Sequence, residues 1–276
     1  MPVGGINSGY IPNTGNELCL RFFREDLYSE GLDSKVTTWL SSHNADPSEV
    51  HVILDLRIVG SLDQSYIHTY GKIPLLDKWR TITIAGGSFP KDLQGLSVGE
   101  HLLPRLEWQR WKEMVGVRPS RIPTFGDYAT LHPFLQPAVS GMNPSASIRY
   151  TTEDHWLIMR GEGLRNEGGP GHAQYPANAQ LLMEHQEFCG REFSFGDKHI
   201  YERPINKHKP GIPMNWVTVG VNHHLTFVVR QIASLFDLPL PQRHYRPEET
   251  QLPLLHAGTK PPMQPQPRSL GPDKKR

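Results

Sequence analysis

The chain has 276 residues, 37% of them hydrophobic, with 25 prolines, two cysteines and a formal net charge of +1. That length suits one large domain or two small ones, and the near-neutral charge removes any general electrostatic drive toward duplex nucleic acid or a membrane surface. No run of about 18 apolar residues occurs, and the Gly/Asn/Pro-rich opening lacks a signal-peptide pattern, so a cytoplasmic, reduced protein is expected.

In chain order, residues 1–16 read as a flexible lead. Glu17–Phe22 alternates like a strand, and Leu32, Val36, Trp39 and Leu40 then mark one face of a helix that Asp33 can cap. Val50–Leu56 is a nearly continuous apolar strand, the kind found in parallel sheets covered on both faces. Leu62–Trp79 has helical periodicity broken by Gly71 and Pro74. Thr81–Ala85 is a β-branched strand ending in Gly86-Gly87-Ser88. Ser97-x-x-Glu100 fits a capping box, with Pro104 as another opening for the helix that runs to about Val115.

Ile122–Tyr128 is the next strand. Ser147–Thr152 and His155–Arg160 read as paired strands. A helix follows from Pro176 to Cys189, stopped by Gly190. Asn222 is placed to cap a last helix carrying Leu225, Val228, Val229, Ile232, Leu235 and Phe236. Residues 241–276 are Pro-rich, too poor in apolar side chains to fold, and read as a disordered tail. Cys19 and Cys189 sit in apolar patterns and read as buried thiols; without C-x-x-C, zinc ribbons and fingers are excluded.

The repeated strand–helix unit over residues 17–240 is α/β, either doubly wound or a (β/α) barrel. Polar residues recurring at strand ends (Asp55, Arg57, Ser88, Asp127, Tyr128, Arg160) favour a barrel-like body with its ligand face there. About six strands are legible where a closed barrel needs eight, so the barrel is expected to be incomplete.

Arginine inside an otherwise apolar strand is costly unless it is paired or binds an anion. Arg149 and Arg160 meet that description, and with Arg57 they could form a pocket for phosphate or carboxylate. Asp55 and Asp127 could serve acid–base chemistry or place a divalent metal, against the plainer reading that each makes a salt bridge or caps a turn. The loop Gly161–His172 matches no phosphate-binding glycine motif and reads as a mobile loop, with a lid over the site as the functional alternative. Of the adjacent His223 and His224, which diverge on a helix and cannot easily share a metal, His224 is the better site candidate.

Several strings occur in a characteristic order: LDLR at 54–57, Trp79-Arg80 leading into TITIAGGSFP, Arg105-Leu-Glu-Trp108, FGDY at 125–128, IRYT followed by W-x-x-x-RG, FSFGD at 193–197 and NHHLT at 222–226. Together they resemble the beta-protein family, named for a phage T4 protein and spread through phages and bacteria. The resemblance spans roughly Glu17 to Leu235. It implies a setting in phage–host conflict but no established activity, and, because family members carry a further N-terminal segment, it leads to the expectation of either a truncated member or a mis-started gene with about two barrel strands absent. The resulting expectation is a cleft lined by Asp55, Arg57, Ser88, Asp127, Tyr128, Arg149, Arg160 and His224 that binds an anionic small molecule, a nucleotide or phosphoester. The alternative is a non-enzymatic protein that recognises a phage or host component.

Overall fold

Nine-residue Val50–Ile58 is the longest strand, and the rest of the parallel sheet is laid out around it. A computed structural model describes residues 17–60, 66–134, 141–205 and 209–240. The expectations for the lead at 1–16, the tail at 241–276 and the first residues of the broken helix therefore fall outside the described residues. The strands in chain order are β1 (Leu18–Phe23), β2 (Val50–Ile58), β3 (Thr81–Gly87), β4 (Gly99–Pro104), β5 (Thr124–Asp127), β6 (Ile148–Thr151) and β7 (His155–Arg160). The helices are α1 (Leu32–Ser42), α2 (Tyr66–Tyr70), α3 (Leu106–Gly116), α4 (Gln174–Glu184), α5 (Phe195–Ile205) and α6 (Pro213–Leu235).

The strands form two sheets. β1-β2-β3-β5 pair in parallel and in that spatial order. β4-β7-β6 form a separate antiparallel sheet. The α/β class holds, but the described strands do not close into a barrel. The short Thr152–Asp154 link between β6 and β7 permits only a hairpin, because a parallel continuation needs a crossover of a dozen or more residues.

One face of the parallel sheet is packed. Leu20, Phe22, Val50, Val52, Leu54, Ile82 and Ile84 are buried together with Val36 and Leu40 of α1 and Trp108, Trp111 and Met114 of α3. Trp108 and Trp111 stack at 5.4 Å and both meet the Phe125 ring of β5 edge-on. Truncating such a fully buried indole to alanine costs about 3–5 kcal/mol. The alternate residues Cys19, Arg21, His51, Thr81 and Thr83 are half-buried or exposed. The expectation of a sheet covered on both faces is therefore corrected. So is that of buried thiols: Cys19 is exposed on edge strand β1, and Cys189 is partly buried.

The antiparallel sheet buries both faces. Ile148, Tyr150, Leu157 and Met159 face α4, α5 and α6 through Tyr175, Leu182, Ile200 and Trp216. Trp156 and Ile158 face Phe89 and Leu93, in the segment after β3. Helix α6 approaches β6 closely because residue 220 is glycine: a Cβ there would lie 2.6 Å from the Arg149 carbonyl oxygen.

Three local expectations are corrected. Gly99–Pro104 is a strand, not a capping box, because pairing with β7 outweighs the local Ser-x-x-Glu preference; Pro104 is tolerated at the end of this edge strand. Helix α1 starts after Gly31, a left-handed residue (φ 68°), with Asp33 in its first turn rather than at its cap. Helix α6 starts at Pro213, which suits a first helical position. Asn222 lies within α6, where its side-chain oxygen accepts the Gly196 N–H at 2.8 Å. Among the described residues, no helix is long and apolar enough to cross a membrane.

Candidate functional site

The same device recurs near the C-terminal ends of two parallel strands. In the bulge of β2 between Asp55 and Ile58, Asp55 Oδ1 accepts the N–H of Arg57 at 2.8 Å, and Arg57 is left-handed at φ 55°. At the end of β5, Asp127 Oδ1 accepts the N–H of Ala129 at 3.0 Å, with Ala129 at φ 50°. A carboxylate holding the amide two residues on is an Asx turn, and it stabilises backbone that non-glycine residues seldom adopt.

Their other oxygens go separate ways. Asp55 Oδ2 accepts Arg21 Nε at 3.0 Å, a second Arg21 nitrogen and the Tyr128 hydroxyl. Arg21 also reaches the Tyr128 oxygen at 3.1 Å. Burial, with the hydrogen bond to Asp55 next, pushes the Tyr128 phenol up to about 12. Arg57 bonds Glu25 at 3.2 Å and lies 3.8 Å over the Phe23 ring.

Asp127 Oδ2 lies 2.8 Å from His224 Nε2, a contact distance, but off the line of a hydrogen bond, so neither atom has an aligned partner. Burial raises the Asp127 carboxyl, yet His224 and the Ala129 amide outweigh it and hold it below the usual range. Burial lowers the His224 imidazole, against the pull of Asp127. His224 Nδ1 is 2.9 Å from Thr151 Oγ1. Hydroxyl, imidazole and carboxylate in that order are the parts of a nucleophile–base–orienter set. Thr151 and His224 are fully buried, and the chain ties β5, β6 and α6 together.

His223 makes a second tie. Its Nδ1 lies 2.9 Å from Asp197 Oδ2 and its Nε2 2.9 Å from the Thr151 carbonyl oxygen, so acceptors face both ring nitrogens. Tyr150 donates to Asp197 at 2.6 Å and stacks on the His223 ring at 3.7 Å, and Ser194 also donates to Asp197. Asp197 and His223 were not anticipated as partners. The signal was present: Ser194-Phe-Gly-Asp197 is a Ser-x-x-Asp helix start, and the Asp197 N–H does bond Ser194 Oγ at 3.1 Å. Reading it would also have found α5.

Ser88 fixes the start of α3. Its N–H donates to Glu107 Oε2 at 3.0 Å, its hydroxyl reaches the same oxygen, and its Oγ accepts the Leu106 N–H at 3.2 Å. Glu107 is buried, which raises its carboxyl to about 7 against the lowering effect of the Ser88 hydrogen bond. The neighbouring Arg105 is also fully buried and bonds the Thr152 carbonyl (2.8 Å) and Gln231 (2.9 Å). Its Nε stands 3.9 Å from Glu107 Oε1, beyond hydrogen-bond reach. Burial lowers the Arg105 guanidinium despite Glu107. Arg21, Arg105 and Glu107 were missed as polar centres, although Arg21 lies in a strand just as Arg149 does.

Arg149 and Arg160 differ from these. Arg149 donates to the Thr130 carbonyl at 2.7 Å, and its guanidinium carbon lies 4.7 Å from the Phe89 ring centroid. Arg160 Nε donates to the Leu93 carbonyl at 2.8 Å. Among the described residues neither has a carboxylate partner, and each makes its one side-chain hydrogen bond to a backbone carbonyl. Burial pulls Arg149 down to about 10.

Among the described residues, no three of His, Cys, Asp and Glu come together as metal ligands. The glycine loop after β7 is pinned: Leu164 N–H bonds the Pro144 carbonyl at 2.9 Å, Arg165 N–H bonds Asn143 at 2.8 Å, and Asn143 bonds Asn166 at 2.8 Å. A Cβ on Gly163 would fall 2.3 Å from Asn143. Glycine here permits close packing rather than motion.

The model of one protein family, described as Beta protein, matches residues 11–230. No curated protein and no solved structure matches the chain. With four-fifths of its length covered, and every string that carried the resemblance lying within the match, the chain belongs to the Beta protein family.

Proposed function

We propose that this family member binds an anionic ligand beyond the C-terminal ends of β3 and β5, with Arg149 as its anchor. Arg149 carries the reading: a largely buried cation that, among the described residues, hydrogen-bonds one backbone carbonyl and has no acid partner. A buried charge without a counter-charge is expensive, and an anion supplies the missing partner in the bidentate geometry that a guanidinium favours. Ser88, Arg57 and Tyr128 lie at the C-terminal ends of parallel strands, the usual ligand side of α/β folds, and Arg160 holds the Leu93 carbonyl in the segment that follows β3. Asp55, Asp127 and His224 support this end rather than perform chemistry, because each is engaged in its own network. The consecutive parallel order β1-β2-β3-β5 is that of a (β/α)-barrel segment. The test is thermal unfolding with inorganic phosphate, nucleotides and phosphosugars at constant ionic strength. Binding raises the midpoint by mass action. The midpoint should rise for the native chain and stay fixed for Arg149→Ala; an equal rise in both removes Arg149 from the site.

A second reading, an interaction protein in phage–host conflict, draws on the parallel-sheet face that leaves Cys19 exposed and Arg21 52% exposed. A stoichiometric protein partner recovered from phage-infected cells, and lost on changing Arg21, would favour it.

A further inference from the structure

We infer that Arg149 and Arg160 act as a pair that takes one dianionic phosphoryl group in preference to a carboxylate. This rests on the anion-binding reading above and names its ligand class. In the β6–β7 ladder, Arg149 stands directly opposite Ile158. Arg160 is two residues beyond Ile158, so its side chain leaves the same face of the sheet. Diagonal neighbours of this kind are roughly 7 Å apart, a separation that two long side chains bridge onto one tetrahedral group.

Both arginines also converge on one segment of the chain. Arg149 lies over Phe89 and Arg160 holds the Leu93 carbonyl. Between these two contacts Lys91 and Asp92 are both exposed and offset one another, so the charge there is that of the two arginines. Each guanidinium spends one nitrogen on a backbone carbonyl, which orients it without neutralising it. Two oriented cations with no acid among the described residues call for about two negative charges, which a phosphate monoester carries above its second pKa of about 6 and a carboxylate does not. The Phe89 face fixes the plane of the Arg149 fork, leaving its remaining edge for paired hydrogen bonds.

The experiment is calorimetric titration of the full chain with phenyl phosphate and with benzoate, which share a ring and differ in charge, at fixed ionic strength. Phenyl phosphate should bind at least tenfold more tightly than benzoate. Its affinity should climb between pH 5.5 and 7.5 as the ester loses its second proton. Arg149→Ala and Arg160→Ala should each lose tenfold or more, with unchanged unfolding midpoints in the absence of ligand. If Arg149→Ala does not fold, Arg149→Lys keeps the charge, removes the fork and should still lose most of the phosphate preference. Equal binding of the two probes, dependent on Arg149 but indifferent to Arg160→Ala, overturns the paired site and leaves the single-anchor reading standing. Absence of binding by phosphate, nucleotides, phenyl phosphate and benzoate alike overturns both.

Discussion

Glu107→Gln should stabilise the protein in alkaline solution, an unusual outcome for a change at a fully buried position. The Glu107 carboxyl is 1% exposed and is raised by burial from its ordinary 4.5 to about 7. Its folded state therefore holds a proton that the unfolded chain has already released. The linkage sign follows: this group's contribution to stability is fully present below about 4.5 and is lost as pH rises through about 7. At about 1.4 kcal/mol per pH unit of difference, ionised Glu107 costs about 3 kcal/mol at pH 8. Glutamine has the same shape, keeps an oxygen for the Ser88 N–H and never ionises. Relative to the native chain it should be nearly neutral at pH 4.5 and more stable by about 3 kcal/mol at pH 8, some 6 °C in midpoint for a domain of this size. The measurement is the difference in urea midpoints between variant and native chain at pH 4.5, 6, 7 and 8. Taking the difference cancels His224, whose lowered imidazole gives the opposite slope below about 6.5. A variant less stable than the native chain at pH 8 would show that Glu107 is ionised and net favourable beside Arg105, and would refute the reasoning.

Asp127→Asn should cost about 1–3 kcal/mol at pH 7, and the loss should shrink in acid. The folded Asp127 carboxyl is depressed, so its contribution is present above about 3.8 and disappears as pH falls through its folded value; a loss independent of pH from 7 to 3 would contradict the contact with His224. Gly196→Ala should destabilise by about 1–3 kcal/mol, because its Cβ would lie 2.4 Å from the Val219 carbonyl oxygen in the facing helix. A midpoint unchanged within 1 °C would show that α5 and α6 are not held this close.

The parallel half of the fold was legible because β2 and β3 are largely apolar, β1 alternates, and Gly, Asp or Pro stand at or near the ends of β2, β3 and β5. What failed was decided by partners distant in sequence. Gly99–Pro104 has a local helix-start signal, and only pairing with β7 makes it a strand. The first turns of α6 carry Trp216 and Val219 toward the core, but Asn222 offered a stronger local cap and drew the boundary inward. At the site, Asp55 and Asp127 were found as strand-end acids; their partners Arg21 and His224 lie 34 and 97 residues away, and no spacing rule connects them. Arg149 and Arg160 were found by a rule that needs no partner, the cost of a cation in an apolar strand, and among the described residues each bonds a backbone carbonyl rather than an acid.

The strings behind the family resemblance explain one another once folded. Arg57 and Asp55 of LDLR meet Tyr128 of FGDY through the Asp55 carboxylate. Asp127 of FGDY meets His224 of NHHLT, whose other neighbour is Thr151 of IRYT. Thr151 and Tyr150 then meet His223 and Asp197 of FSFGD. Ser88 of AGGSFP meets Glu107, and Arg105 beside it holds the β6–β7 turn. Of these ties, the Asp127–His224–Thr151 chain links the end of β5 to β6 across the two sheets, while the others fix strands and helices within each half, where apolar packing would hold them as well but without fixed orientation. Polar ties of this number constrain geometry more than they add stability, and what they orient is the strand-end region where two arginines stand without acids. The proposed anion site depends on that orientation, because two guanidinium groups share one phosphoryl group only when presented at a set angle.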